Sequence, residues 1–285
     1  MRRSLITALL TVLLASPALG QDLQGTLKKI SDSKTISLGY RETAVPFSFV
    51  GADKQPAGFV VDLCRRVAGG VQQQLKLADL KVNWVQVTSE NRIQMVANGT
   101  IDLECGTTTQ TLRRSEQVDF SLMTFVDGGS FLVKADSKLN SLADLANKKV
   151  AVIPTTTTAT SLNDALQKSF TTVQIVPVKD HADGLAALES GRADAYASDR
   201  TILIGLAVTS KEPSKLALSD QGFSYEPYGL VLRRNDSAFR LSVNRVLANI
   251  YRGAQIVEIY NKWFGAFGRP SPLLQIMFLL NAIPE

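Results

Sequence analysis

The sequence predicts an α/β fold of two similar units with a cleft between them, on three observations. Strand-like and helix-like patterns alternate through most of the 285 residues, and the alternation restarts near Phe131. The segments richest in polar chemistry fall at the carboxyl ends of strands, where open α/β sheets bind their ligands. After an N-terminal leader about 265 residues remain, enough for two domains of ordinary size.

The leader comes first. Arg2 and Arg3 precede an uncharged apolar run from Leu5 to Leu14, and the small residues before Gln21 form a processing site. Residues 1–20 therefore read as a secretory signal peptide. The run is shorter than the roughly 20 residues a membrane span requires. The apolar stretch from Pro272 to Ile283 is also too short and is interrupted by Gln275 and Asn281. The mature protein is expected in the periplasm, and no cysteine at the processing site provides a lipid anchor.

Lys34 to Gly39 is the first strand, and a turn-rich stretch around Gly51 to Pro56 follows. Gly58 opens an amphipathic helix with Phe59, Leu63, Val67 and Val71 on one face. Lys81 to Val87 alternates as a strand, and Thr88 or Ser89 caps a helix reaching Asn98. Ile101 to Cys105 closes a β-α-β-α-β run, which predicts a largely parallel sheet with helices on both faces. In the second series Ser141 to Asp144 resembles a capping box. Lys149 to Ile153 is a strand, Thr155 to Thr158 lead into a helix, and Val173 to Val178 is a strand. Asp183 to Ser190 is a helix and Ala193 to Ala197 a strand. Tyr228 to Arg233 returns as a strand before helices from Asp236 to Gly265, where Tyr260, Trp263 and Phe264 have core spacing.

Arg2 and Arg3 account for two of the formal +5 charges, leaving +3 on the mature chain with no basic run, so nucleic acid binding is not indicated. Cys64 and Cys105 match no metal-ligand spacing. An oxidising compartment permits a bridge between them, and two buried thiols fit equally well. Neither a metal nor a cofactor is expected.

The chemistry lies at the strand ends. Arg41 follows the first strand, and Thr88-Ser89-Glu90-Asn91-Arg92 the next. Gly106-Thr107-Thr108-Thr109 with Arg113-Arg114 follows the third, and Thr155 to Thr158, His181 and Asp199 follow strands of the second unit. Glycine and hydroxyl residues at a helix start form an anion site, and arginine adds a planar fork for carboxylate. Several such sites converging on one cleft suit a ligand with more than one carboxylate.

The strings NRIQMVANGTIDLECGTTT with Arg113-Arg114, GYRETAVPFSF, KDHADGLAALESGRADAY, and YGLVLRR before YNKWF resemble the polar amino acid-binding proteins of ABC transporters, in order over residues 26–270. Among these they are most similar to the periplasmic glutamate/aspartate-binding members. The resemblance implies a periplasmic binding protein-like fold, with two α/β lobes joined by two hinge strands. Lobe one would be residues 22–125 plus 225–285 and lobe two 126–224, with hinges near Thr124 to Asp127 and Phe223 to Glu226. It also implies a monomer that binds L-glutamate or L-aspartate and delivers it to the membrane permease. Arg114 would hold the α-carboxylate with Thr109, Thr156 and Thr157, and Asp199 the ammonium. Arg41, Arg92 and His181 would surround the distal carboxylate, with Ser89 and Thr107 adding hydrogen bonds. This chain carries Arg113 where the resemblance leads one to expect an acid, so either arginine could face inward. The rival class is a dehydratase-like enzyme of the same fold, with Glu104, Glu226 or His181 moving a proton.

Overall fold

The computed structural model describes residues 23–285; the signal-peptide reading of residues 1–20 lies outside them. The first unit begins with α1 (Gly25–Ser33), β1 (Thr35–Tyr40) and a small three-stranded sheet of β2 (Thr43–Ala44), β3 (Ser48–Val50) and β4 (Pro56–Ala57). It continues with α2 (Phe59–Gln74), β5 (Lys81–Gln86), α3 (Arg92–Ala97), β6 (Leu103–Cys105), α4 (Leu112–Ser115) and β7 (Val118–Asp127). The second unit comprises β8 (Gly129–Lys134), β9 (Lys149–Val152), α5 (Thr157–Lys168), β10 (Gln174–Pro177), α6 (His181–Glu189), β11 (Ala195–Asp199), α7 (Arg200–Thr209) and β12 (Leu216–Leu218). The chain returns to the first with β13 (Glu226–Arg233), α8 (Ser237–Arg252), α9 (Gln255–Phe264) and α10 (Pro272–Asn281).

Two five-stranded sheets result, in the orders β5-β1-β6-β13-β7 and β10-β9-β11-β8-β12. The expectation of a largely parallel sheet is corrected. β5, β1 and β6 are parallel, but β13 pairs antiparallel with both β6 and β7. The reason is topological. β7 carries the chain out of the first unit and β13 brings it back, so neighbouring strands run in opposite directions. In the second sheet β8 is antiparallel to both β11 and β12. Only Gly128 separates β7 from β8, so each sheet begins where the other ends.

Helical periodicity was a sound guide to burial. Phe59, Leu63, Val67 and Val71 of α2 are all buried. Phe47, Phe59, Phe125 and Phe264 pack ring against ring, with Phe47 and Phe125 centroids 4.8 Å apart. Tyr260 and Phe264 are core, while Trp263 is half-buried and donates its indole N–H to Asp62 (2.8 Å). Ser141 and Asp144 form the reciprocal pair expected of a capping box (2.8 and 3.3 Å). The helix assigned to a Thr88 or Ser89 cap instead starts at Arg92. Thr88 and Asn91 bond reciprocally across the turn that leads into it (2.8 and 3.2 Å), with the Thr88 hydroxyl accepting from the Asn91 N–H as a cap does, so the cap expected at Thr88 is present and the regular helix begins one turn later. A disulfide joins Cys64 of α2 to Cys105 of β6, with Cα atoms 6.2 Å apart, which decides between bridge and free thiols.

Candidate functional site

The strand ends of both sheets meet across one cavity. Arg41 leaves β1, Ser89 and Arg92 follow β5, and Thr107 and Thr109 follow β6; Thr156, Thr157, His181 and Asp199 come from the second unit. These nine line a cavity of about 20 Å³, together with Ile153, Thr158, Ala197 and Ser198. Of the residues expected from the sequence only Arg114 is absent from that lining. It is half-buried one layer back and donates from Nη1 to the Thr109 carbonyl (2.7 Å), whereas Arg113 is exposed. Of the Arg113-Arg114 pair, Arg114 is thus the more buried, and neither lines the cavity.

The basic end is built on tight backbone turns. Arg41 and Arg92 are 4% and 3% exposed, and Arg41 donates from Nη2 to Ser89 Oγ (2.8 Å). Gly106 permits this packing. A Cβ there would sit 2.2 Å from Glu104 Oε1 and 2.9 Å from Arg41 Cγ. Burial, and then the neighbouring Arg92 charge, push Arg41 down to about 10, and the same two causes bring Arg114 to about 10. Both stay protonated at neutral pH. Among the described residues none of these three arginines forms a salt bridge, and Arg92 Nε is buried without a hydrogen-bond partner. Unpaired buried cations are costly. An anion entering the cleft would relieve that cost.

His181 is the first residue of α6, whose N-cap is Asp180. Burial and the Arg41 and Arg92 charges hold its imidazole well below the usual range, so the ring is neutral.

The acidic end faces the hinge strands. Asp199 accepts from Thr158 Oγ1 (2.7 Å) and from the Tyr228 hydroxyl. Glu226 Oε2 accepts from Thr109 Oγ1 (2.6 Å) and Thr157 Oγ1 (2.7 Å), tying threonines of both units to the start of β13. Asp127, ending β7, accepts backbone N–H bonds from Gly128 and Thr201. Burial, then Glu226 and Asp127, raise Asp199 to about 7; burial raises Asp127 to about 6. Thr156 caps α5 by accepting from the Ala159 N–H (3.1 Å), and Thr156, Thr157 and Thr158 at that helix start line the cavity.

Four contributors were not anticipated as site residues: Asp127, Tyr228, Tyr196 and Ser198. Asp127 and Glu226 face each other in register on the paired hinge strands. A strand-end acid at each hinge was the only available signal. Tyr196 and Ser198 share the face of β11 opposite Asp199, and alternation along that strand could have identified them.

Comparison with known proteins agrees with this architecture. The sequence profile of the bacterial extracellular solute-binding proteins, family 3, matches residues 36–266. The chain is 37% identical over 261 residues to an L-glutamate/L-aspartate-binding protein of Pseudomonas aeruginosa, covering 91% of this chain and 86% of that one. It is 34% identical over 250 residues to a glutamate/aspartate import solute-binding protein of Escherichia coli, covering 88% and 82%. A solved ancestral amino acid-binding protein, described as a precursor of cyclohexadienyl dehydratase, superposes with a TM-score of 0.73 at 29% identity, covering 84% of this chain and all of that one. With two mixed α/β sheets, a cleft between their strand ends and a profile match across nearly all the described residues, this chain belongs to the bacterial extracellular solute-binding proteins, family 3.

Proposed function

We propose that this protein captures an acidic L-amino acid, glutamate or aspartate, in the periplasm and presents it to the permease of an ABC transporter. The observation that carries the reading is the charge layout of the cleft. Arg41 and Arg92 are buried without a salt-bridged carboxylate, while Asp199 and Glu226 lie at the opposite end. A ligand with one ammonium and two carboxylates matches that layout. Arg114, Thr109, Thr156 and Thr157 hold the α-carboxylate, Asp199 takes the ammonium, and Arg41, Arg92 and His181 take the distal carboxylate, with Ser89 and Thr107 in support. The names of the Pseudomonas and Escherichia relatives support the same ligand class.

A cavity of about 20 Å³ has room for roughly one water. Capture therefore begins with the lobes parted and ends with closure, a hinge motion. Lobe one is residues 22–125 plus 225–285 and lobe two 126–224, moving about the strand junctions at Gly128 and before Glu226. Glu104 and Glu226 act as fixed acceptors, and the protein catalyses no reaction. Thr108 donates to the first of these (2.8 Å), and Thr109 and Thr157 to the second.

Calorimetric titration of the ligand-stripped mature protein tests this. L-glutamate and L-aspartate are expected to bind one-to-one, and L-glutamine and L-arginine to give little heat. Arg92→Ala should weaken glutamate binding by about 100-fold or more, the scale for truncating one partner of a buried charge pair. Tight binding of glutamine or arginine would defeat the acidic assignment and leave the transport role intact.

A further inference from the structure

One nitrogen of the site histidine is already engaged. His181 is 4% exposed, and its Nδ1 lies 2.8 Å from the hydroxyl of Tyr196, a wholly buried residue of β11. Ser198 is on the same face of that strand. Its Oγ is 3.5 Å from the same nitrogen. The tyrosine ring has no room to withdraw. A Cβ at Gly184, one helical turn after His181, would come within 2.3 Å of it. Nε2, by contrast, is buried with no hydrogen-bond partner, and the residue lines the cavity beside Arg41 and Arg92.

We infer that Tyr196 is a specificity-determining positioning residue: its hydroxyl donates to Nδ1 and fixes His181 as the Nε2–H tautomer, a neutral donor aimed at the ligand side chain. The inference rests on the acidic-ligand reading above. A neutral imidazole carries one proton, and the nitrogen that holds it decides whether the cavity meets a donor or an acceptor. Burial keeps the phenol protonated, so its O–H needs an acceptor, and Nδ1 is in line to be one. The phenol, at 2.8 Å, is the nearer of the two hydroxyls around Nδ1, and Ser198 at 3.5 Å is the weaker partner. The imidazole N–H then joins Arg41 and Arg92 as a third donor at the distal end of the cleft, beside the hydroxyls of Ser89 and Thr107. An ionised carboxylate satisfies all three. A carboxamide turns its NH₂ toward these three donors and cannot satisfy them all, so it binds less well. Without the Tyr196 hydroxyl the Nδ1–H tautomer becomes accessible, and a bare Nε2 would accept from that NH₂.

Two measurements test this. His181 is the single histidine of the chain, so a long-range proton–nitrogen NMR spectrum of the mature protein reports on it alone. The expected pattern is a pyridine-type Nδ1 and a pyrrole-type Nε2, with and without glutamate. The reverse pattern, or a tautomer average, would overturn the inference. In Tyr196→Phe the preference for glutamate over glutamine should fall by about tenfold, the worth of a hydrogen bond to a charged group. An unchanged preference would also overturn it. Wild-type protein that does not prefer glutamate would defeat the acidic-ligand reading, while the spectrum would still decide the tautomer.

Discussion

Asp199 is placed where an ionised carboxylate is disfavoured until a cation arrives. Its ordinary value is 3.8, and burial followed by Glu226 and Asp127 lifts it to about 7 in the fold. Between these values the unfolded chain has lost the proton while the folded chain keeps it. Folding is then linked to proton uptake, and stability falls as pH rises from about 4 through 7. Below about 4 both states are protonated and the group contributes nothing. Asp127, raised to about 6, acts in the same direction. Asp199→Asn should therefore stabilise the ligand-free protein above pH 7 by about 1–3 kcal/mol, with little gain near pH 4, as read by denaturant titration at both pH values. The same substitution should abolish tight binding. An ammonium beside Asp199 favours its ionised form, so ligand capture below about pH 7 should release a proton. Affinity should then rise with pH by up to about tenfold per unit, and titrations in buffers of different ionisation enthalpy would detect the proton.

At the scale of single elements, the amino-acid pattern encodes some features and not others. Where one face of a helix carries the apolar residues, as in α2, pattern and burial coincide, because the stripe has one core to face. Strand ends were equally legible, which is how Arg41, Arg92 and His181 were identified. Strand direction was not. β13 lies beside β7 because the chain crosses twice between sheets, and no local pattern encodes a partner about 100 residues away. The same separation concealed Tyr228, whose role comes from facing the second unit. The Thr88 hydroxyl caps the turn ahead of α3 by accepting from the Asn91 N–H, and the regular helix starts one turn later, at Arg92. The pairing of α2 with β6 also depended on distance. The Cys64–Cys105 bond closes a loop of 41 residues in sequence and lies directly before the Gly106-Thr107 turn. Loop-closure entropy assigns such a bond about 4 kcal/mol. Replacing both cysteines with alanine should lower the unfolding free energy by about that amount, and adding reductant to the wild type should reproduce the loss. A change below about 1 kcal/mol would show that α2 and β6 hold together without it.

At the scale of the whole molecule the two sheets meet through few connections. Gly128 is the only residue between β7 and β8, and across the cleft Thr157 reaches Glu226 and Tyr228 reaches Asp199. A ligand that bonds both lobes adds to these links only in the closed, folded state, so its affinity appears as stability. At about 100 times its dissociation constant, glutamate should contribute about 2.7 kcal/mol and raise the melting temperature by roughly 5–10 °C. Glutamine at the same concentration should leave it unchanged, and scanning calorimetry would separate the two. The Cys64–Cys105 bond also carries a timing consequence. In a compartment that keeps thiols reduced the bond does not form, and the newly made chain lacks that share of its stability. Such a chain is easier to hold open for threading through a translocation channel. In the periplasmic setting proposed above, oxidation after arrival would close the loop between Cys64 and Cys105 and restrain the lobe only once it no longer has to be unfolded.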